Sequence, residues 1–284
     1  MIKIDKFVLR LDKAKKAIDE ADYILIGAGA GLSTAAGIEY TGERFEKYFH
    51  DFIEEYGFTD MYSSGFYPFK TQEEKWAYWA RHVYANRYDV GKTSVYQKLL
   101  ELVEGKEYFV LTTNVESQFW INGFEDSRIF ATQGDYGLLQ CKTPCHHKLY
   151  SNREQVLEWV EKTENFRIPT ELVPKCPVCG GEMELNLRVD NTFVEDGKWH
   201  QMNHNYSKFL KGVDGNIVFL EIGVGYNTPG IIRYPFEQMT YSDDNATLIR
   251  LNLDYPQAIP ENKDKTISFD EDVGEILDYW LSRI

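Results

Sequence analysis

Residues 24–40 read "ILIGAGAGLSTAAGIEY". The apolar run "YILIG" (23–27) predicts a buried strand, Gly27, Gly29 and Gly31 a loop, and the residues near Ser33 the start of a helix. Glycine lets the backbone approach a phosphate closely, and free N–H groups at a helix start attract its negative charge. A dinucleotide is a natural ligand for such a turn. The G-x-G-x-x-G pattern is not quite met, because Leu32 stands at the third glycine position. No acidic residue is placed at the end of a second strand either, and a purely structural tight turn is the competing reading.

Four further apolar runs read as strands: "YFVLTT" (108–113), "RIFA" (128–131), "IVFLEIG" (217–223) and "TLIRLNL" (247–253). Helical patterns lie between them. Leu9, Leu11, Ala14 and Ile18 mark an amphipathic opening helix, and 45–56, 73–88 and 94–103 mark three more. "DEDVGEILDYWLSR" (270–283) closes the chain as a helix. Short apolar strands alternating with helices predict an α/β fold with a mostly parallel sheet. The stretch 138–188 breaks the rhythm and reads as an inserted module. The aromatic-rich helices of 40–92 read as a packed cap, with a groove for an apolar ligand arm as the alternative. The expected organisation is one domain over 1–284, its sheet built from 14–137 and 189–284.

The chain of 284 residues carries 31 basic and 45 acidic side chains, a formal charge of −14. That balance disfavours nonspecific binding to nucleic acid or anionic membranes, since phosphate contacts need Lys and Arg. No export signal and no membrane-spanning run is expected, which points to the cytoplasm.

In a reducing compartment paired cysteines favour metal over disulfide. Cys141-x3-Cys145 and Cys176-x2-Cys179, thirty residues apart, supply two short chelating loops with four soft ligands. That set suits tetrahedral zinc, and all-thiolate ligation leaves no open position, so the site is expected to be structural. A redox pair is the alternative. His146 and His147 adjoin Cys145 as substitute ligands. His200 and His204 have i, i+4 spacing, but Gln201 stands where a zinc protease has Glu, and they read as helix-face residues.

Residues 128–137, "RIFATQGDYG", end a strand on Gln133-Gly134. A Gly after a polar residue at a strand end suits a pocket-lining loop. The Gln133 carboxamide donates and accepts hydrogen bonds but cannot take up a proton near neutral pH. Asn114, after "YFVLTT", sits where open α/β sheets bind ligands. A turn-forming role is its plainer alternative.

The glycine loop, "TTNVES" (112–117), a strand followed by x-x-Gly, the four-cysteine insert, "EIGVGYNTP" (221–229) and "LNLD" (251–254) occur here in the order that sirtuins have. The chain therefore resembles the sirtuin family from about Ala14 to Leu281. "GAGLSTAAGI" (29–38) is similar to the family's GAG-x-S-x-x-x-GI, and "TTN" with Glu116 to its QN-x-D. Sirtuins follow GI with Pro-Asp-Phe-Arg and the third strand with His-Gly, whereas this chain has "EYTGERF" (39–45) and Gln133-Gly134. "GERF", "TTN", "QGDY", "NLR" (186–188), "EIGVGY" and "PFEQMT" (235–240) resemble the macrodomain-linked, class M branch.

The resemblance implies a Rossmann-like domain with a zinc-ribbon insert held by Cys141, Cys145, Cys176 and Cys179. It implies NAD bound by Gly29, Ala30, Gly31, Ser33, Thr113, Asn114, Val115, Glu116, Gln133, Gly223, Val224 and Gly225. Asn252, Asp272 and Val273 extend that set, with Asn252 matching the Asn on the adenosine ribose. Arg44 and Phe45 are expected in a mobile loop, Arg44 near a phosphate and Phe45 shielding the nicotinamide. Asn114, Gln133 and Arg188 are the expected catalytic residues, with a salt bridge as the alternative for Arg188.

The branch resembled is associated with ADP-ribosylation of a lipoylated glycine-cleavage H-like carrier, reversed by a macrodomain hydrolase. Deacylases of the family use a His base, and a missing general base typically costs about 10²–10⁴-fold. Gln133 is therefore compatible with positioning the ribose for transfer and poorly suited to deacylation. A slow NAD-dependent deacylase and a silent NAD-binding sensor remain the competing readings. Retention of Asn114 and of the glycine and GVG loops weighs against the sensor.

Overall fold

The computed structural model describes residues 6–283. The chain opens with α1 (Lys6–Glu20), β1 (Tyr23–Ala28) and the short α2 (Ala30–Ala35). It leaves the sheet for α3 (Gly42–Tyr56), α4 (Met61–Ser64) and α5 (Gln72–Val83), the last prolonged by a π-helical turn at Tyr84–Tyr88. It returns through α6 (Ser94–Val103) to β2 (Glu107–Thr112), α7 (Gln118–Asn122) and β3 (Ile129–Ala131). A second excursion comprises β4 (Gly134–Cys141), β5 (Tyr150–Ser151), α8 (Arg153–Lys162) and β6 (Met183–Leu187). The remainder is α9 (Gly197–Gly212), β7 (Ile217–Ile222), α10 (Arg233–Ser242), β8 (Ala246–Leu251), β9 (Thr266–Phe269) and α11 (Val273–Leu281).

Six strands form one sheet in the order β3-β2-β1-β7-β8-β9, every pair parallel. Chain order reverses between β1 and β7, and ligands of open α/β sheets bind outside the carboxyl ends of the strands at such a switch. β1, β2 and β7 are almost wholly buried, as their unbroken apolar runs require when helices cover both faces. Ile24, Ile26, Val110 and Leu220 pack toward α1, α6 and α11 on one face. Leu25, Phe109 and Phe219 pack toward α9 and α10 on the other, Phe236 being the α10 side chain at the centre of that contact. Each such side chain stabilises the fold by about 1.5–3 kcal/mol relative to its exposure.

The two excursions share one core. Phe45, Phe49, Phe52 and Tyr78 of α3 and α5 join Val156, Trp159, Met183 and Leu185 of the second excursion. Trp76 meets Trp159 with ring centroids 5.0 Å apart. The aromatic-rich helices are thus a packed lobe, with β4, β5 and β6 as its small antiparallel sheet.

Three expectations change. The sheet has a sixth strand, β9, whose four residues "TISF" are too short and too polar to stand out by pattern. Helix α2 begins at Ala30 rather than near Ser33, with extended Gly29 as its N-cap. Helix α3 begins at Gly42, so Arg44 and Phe45 lie in a helix rather than a loop. The positive φ of Gly42, 66°, lets the chain turn into that helix early.

Candidate active site

A cavity of about 930 Å³ lies between the carboxyl edge of the sheet and the helical lobe. Gly29 with the first residues of α2, Ala30 and Gly31, and the loops after β2 and β7, with Thr113, Asn114, Val115, Gly223, Val224 and Gly225, form its walls. The corner after β3 supplies Gln133, and Arg188 follows β6. Asn252, Asp272 and Val273 line it beyond β8. Met61, Trp79, His82, Tyr136 and Leu187 face it from the lobe.

Glycine at 29, 31 and 223 is required by backbone contact between two loops. A Cβ on Gly29 would lie 2.6 Å from the Gly223 carbonyl oxygen, and one on Gly31 2.6 Å from Gly223 Cα. Gly223 itself has φ +61°. The N–H of Gly29 donates to Ile222 at 3.0 Å, that of Gly31 to Gly223 at 3.0 Å, and that of Leu32 to Gly29 at 3.0 Å. The expected free donors at these positions are therefore spent within the protein. What the glycines provide is a cradle made by close approach of two loops.

Beneath the cradle lies a polar relay. Asn114 Nδ2 donates to the Gly29 carbonyl at 2.9 Å and to Ser33 Oγ at 3.1 Å. Ser33 Oγ donates to Glu116 Oε1 at 2.8 Å, and Tyr96 Oη donates to the same oxygen at 3.2 Å. Ser33 and Glu116 are both buried behind the wall rather than on it. Burial pushes the Glu116 carboxyl above its ordinary pKa. Asn114 spends its amide donors on the protein, so its Oδ1 is the atom left for a hydroxyl in the cavity.

Gln133 stands in a sharp corner. Gly134 has φ +99°, and a side-chain carbon there would collide with the Asn186 carbonyl. The Gln133 carbonyl accepts the Arg188 N–H at 3.0 Å. Gln133 Oε1 is buried and has no hydrogen-bond partner in the protein. Asp135, two residues on, accepts from the Gly137 N–H at 2.7 Å and Arg87 Nε at 3.0 Å, and from the Ser117 hydroxyl. It thereby ties the corner to the loop after β2 and to the lobe. Sequence reasoning missed Asp135. Its position two residues after Gln133 was the available signal.

Arg188 is held, not loose. Its Nη2 donates to Glu195 at 2.6 Å, its Nε to the Thr132 carbonyl at 3.3 Å, and its guanidinium lies 4.2 Å over the Phe193 ring. A salt bridge and a place on the cavity wall thus coexist. Asn252 knits loops together: its Nδ2 donates to Val224 at 2.9 Å, and its Oδ1 accepts from the Asp254 and Tyr255 N–H groups. Asp272 accepts the Glu275 N–H at 3.0 Å, capping α11.

Arg44 and Phe45 do not reach the cavity in this structure. Arg44 donates to Asn86 Oδ1 at 2.8 Å and to the Ala85 carbonyl at 2.6 Å, and burial lowers its pKa. Phe45 is buried and stacks on Phe49 with centroids 5.6 Å apart. An apolar ring and a carbonyl-hungry guanidinium find these partners inside the lobe.

The Sγ atoms of Cys141, Cys145, Cys176 and Cys179 all lie within 4.8 Å of one another. Cys141–Cys179 and Cys145–Cys176 are each 3.7 Å apart, far beyond a disulfide. Zinc–thiolate bonds of about 2.3 Å in a tetrahedron imply sulfur separations of about 3.8 Å, so the set fits zinc. The Cys179 and Val178 N–H groups pull the Cys176 thiol down to about 6. His146 Nε2 lies 3.5 Å from Cys176 Sγ, beside the four-sulfur set. His200 and His204 are exposed on α9. No helix among the described residues is long and apolar enough to cross a membrane.

No family model matches the chain. A protein ADP-ribosyltransferase of Staphylococcus aureus (strain Mu50 / ATCC 700699) is 36% identical over 276 residues, covering 96% of this chain and 88% of that protein. A probable bifunctional ADP-ribose hydrolase/ADP-ribosyltransferase of Fusarium oxysporum f. sp. cubense is 29% identical over 91% of this chain. The chain spans 45% of that fungal protein's length. Among solved structures, a Sir2 homologue mutant in complex with ADP ribose superposes with TM-score 0.60 at 15% identity, covering 98% of this chain and 96% of that one. At that identity the likeness establishes the fold.

Proposed function

The chain belongs to the family of the staphylococcal protein ADP-ribosyltransferase and has the Sir2 (sirtuin) fold, and from that membership we propose that it transfers ADP-ribose from NAD to an acceptor protein. The observation that carries this reading is Gln133, a group that cannot take a proton, with its Oε1 buried and unpaired on the cavity wall. A buried acceptor without a donor costs about 1–3 kcal/mol, which a bound hydroxyl relieves.

NAD supplies an ADP-ribosyl group whose leaving group is nicotinamide. The chain's own residues bind and orient it. Gly29, Gly31 and Gly223 form the cradle by letting two loops touch, and Gly225, Asn252, Asp272 and Val273 line the same cavity. Asn114 Oδ1 and Gln133 Oε1 present two proton-free acceptors to ribose hydroxyls. Arg188, fixed by Glu195 and Phe193, holds positive charge at the rim. Positioning of this kind contributes to rate without a general base. The relay Asn114–Ser33–Glu116 sets the orientation of Asn114. The four cysteines, outside the cavity, are positioned to bind a zinc ion, which would be structural.

The acceptor in this reading is a lipoylated glycine-cleavage H-like carrier. Met61, Trp79, Tyr136 and Leu187 make an apolar wall suited to its arm. A macrodomain hydrolase that removes the mark completes the reading; the two activities in the fungal relative's name support such a partnership. The setting is cytoplasmic, where the four thiols stay reduced for metal.

The test is to mix the protein with NAD and lipoylated or unlipoylated carrier, following intact mass and free nicotinamide. An ADP-ribosyl adduct on the lipoylated carrier alone is expected. Deacylation of an acetylated peptide with nicotinamide release, and no adduct on either carrier, overturns the reading.

A further inference from the structure

One buried titratable group on the cavity wall has no task in the scheme above. His82, on α5, is 1% exposed and lines the cavity from the lobe. Its ring sits among Trp79, Tyr136 and Tyr40, with centroids 4.9, 5.0 and 5.6 Å away. Its Nε2 is buried and has no hydrogen-bond partner.

Its tautomer follows from a neighbour. Tyr78 Oη donates its single proton to the Met61 carbonyl at 2.6 Å. The contact between Tyr78 Oη and His82 Nδ1, 3.3 Å, must then run the other way, with Nδ1–H donating. Nε2 is left with a bare lone pair. The ring is neutral, because burial, aided by the Arg44 guanidinium, lowers its pKa to about 3. Tyr40, Tyr78 and Tyr136 are the other titratable groups packed on it, and burial holds all three phenols protonated. Arg44 also disfavours a cationic donor opposite Nε2.

We propose that His82 is a specificity residue whose Nε2 accepts a hydrogen bond from an uncharged, planar carboxamide N–H bound in the cavity. A buried acceptor without a donor is costly, and the aromatic rings packed around it favour a flat neutral partner. Resting on the NAD reading, the proposal has two sources for that chemistry: the carboxamide of nicotinamide, or the amide that joins an acceptor's apolar arm to its protein. Among cavity-facing groups, His82 is placed with the lobe's apolar wall, whereas Gln133 and Asn114 face it from the sheet side.

The test uses wild-type protein labelled with ¹⁵N in histidine, the His82 ring signals being assigned by their loss in His82→Phe. A neutral ring protonated on Nδ1, unchanged from pH 8 to pH 6, is expected. Nicotinamide alone and lipoamide alone are then added. A hydrogen-bond shift of Nε2 with nicotinamide assigns the donor to the leaving group; a shift with lipoamide assigns it to the acceptor arm. A ring protonated on Nε2, or an Nε2 signal that neither probe moves, overturns the proposal. If nicotinamide is the donor, His82→Phe weakens its inhibition about tenfold, and the KM for NAD, which carries the same carboxamide, rises with it. NAD added to the same sample reports separately through the Gly31 and Gly223 amides. If these move while His82 stays still under every probe, the proposal falls and the NAD reading stands. If NAD leaves them unmoved, the NAD reading itself fails.

Discussion

The Gln133 carbonyl accepts the Arg188 N–H at 3.0 Å, so two side chains distant in sequence rise into one cavity from a single backbone contact. Gly134 makes this contact possible, since its φ of +99° and missing Cβ let β4 pass the Asn186 carbonyl. Gly134→Ala is expected to destabilise the protein by roughly 2–3 kcal/mol, combining positive-φ strain with a backbone collision. Urea unfolding measures that loss. Transfer activity is expected to fall further than the loss of folded protein accounts for, because Gln133 and Arg188 shift together.

Gln133 stores a stability cost that function requires. Gln133→Leu removes a buried oxygen without a partner, and is expected to leave the protein as stable as before or about 1 kcal/mol more so. ADP-ribosyl transfer is expected to fall by about 10²-fold or more, as the ribose loses its acceptor. Thermal unfolding and adduct formation, measured on one preparation, check the opposite signs. Gln133→His is the complementary variant. It is expected to gain deacylation of an acetylated peptide, and a variant that only loses transfer counts against Gln133 as the switch.

Glu116 predicts a pH signature. Its carboxyl is raised by burial, so its folded pKa exceeds its unfolded one. The stability associated with the protonated form is fully present below the unfolded carboxylate value of about 4.3, and is lost as pH rises through the folded pKa. Glu116→Gln keeps an oxygen for the Ser33 and Tyr96 hydroxyls and removes this loss. The variant is expected to match wild type below the unfolded carboxylate value and to exceed it as pH rises above that value, the gap levelling off past the folded pKa. Urea midpoints across that range decide it; parallel curves would mean that the carboxyl is not the source.

Zinc and the helical lobe stand or fall together. Cys141 and Cys176 are buried in the core that contains Phe49, Phe52 and Tyr78. Cys145→Ser, or treatment with a strong chelator, is expected to loosen α3 and α5 as well as the cysteine loops. Hydrogen exchange at 42–83 should rise while β1, β2 and β7 keep their protection. Unchanged exchange in α3 would separate the metal from the lobe.

The buried cluster beneath the loop after β8 is expected to be unforgiving. Arg250 meets Glu221 through two bonds of 2.8 and 2.9 Å, all three groups of Arg250, Arg233 and Glu221 being essentially unexposed. Arg250 Nη1 also holds the Gln257 carbonyl at 2.7 Å, and Arg233 the Tyr255 carbonyl at 3.1 Å. Glu221→Gln leaves Glu237, which meets Arg250 at 2.8 Å and Arg233 at 3.7 Å, to balance two buried guanidinium groups, and is expected to cost about 3–5 kcal/mol. Weaker NAD binding should accompany it, measured by calorimetry, because the loops at 252–257 lose their anchor.

The sequence by itself determined the sheet's central strands and the metal set. β1, β2 and β7 are unbroken apolar runs, and a strand buried on both faces has no other pattern to adopt. Four thiols on two short loops leave tetrahedral ligation as their economical use. Gln133, Asn114 and Arg188 were legible as polar residues at strand ends, because that is where such sheets open to ligands. The roles of their neighbours were decided only in three dimensions. Ser33 and Glu116 lie behind the wall because Asn114 spends its amide on Ser33 and Gly29, and Ser33 in turn donates to Glu116. Arg44 and Phe45 turn into the lobe because carbonyls and aromatic rings there satisfy them better than an open cavity does. His82 reads in sequence as one more residue of an aromatic helix. Its bare Nε2 depends on where a tyrosine four residues earlier sends its proton, and that is settled by the Met61 carbonyl, which only the folded chain brings within reach.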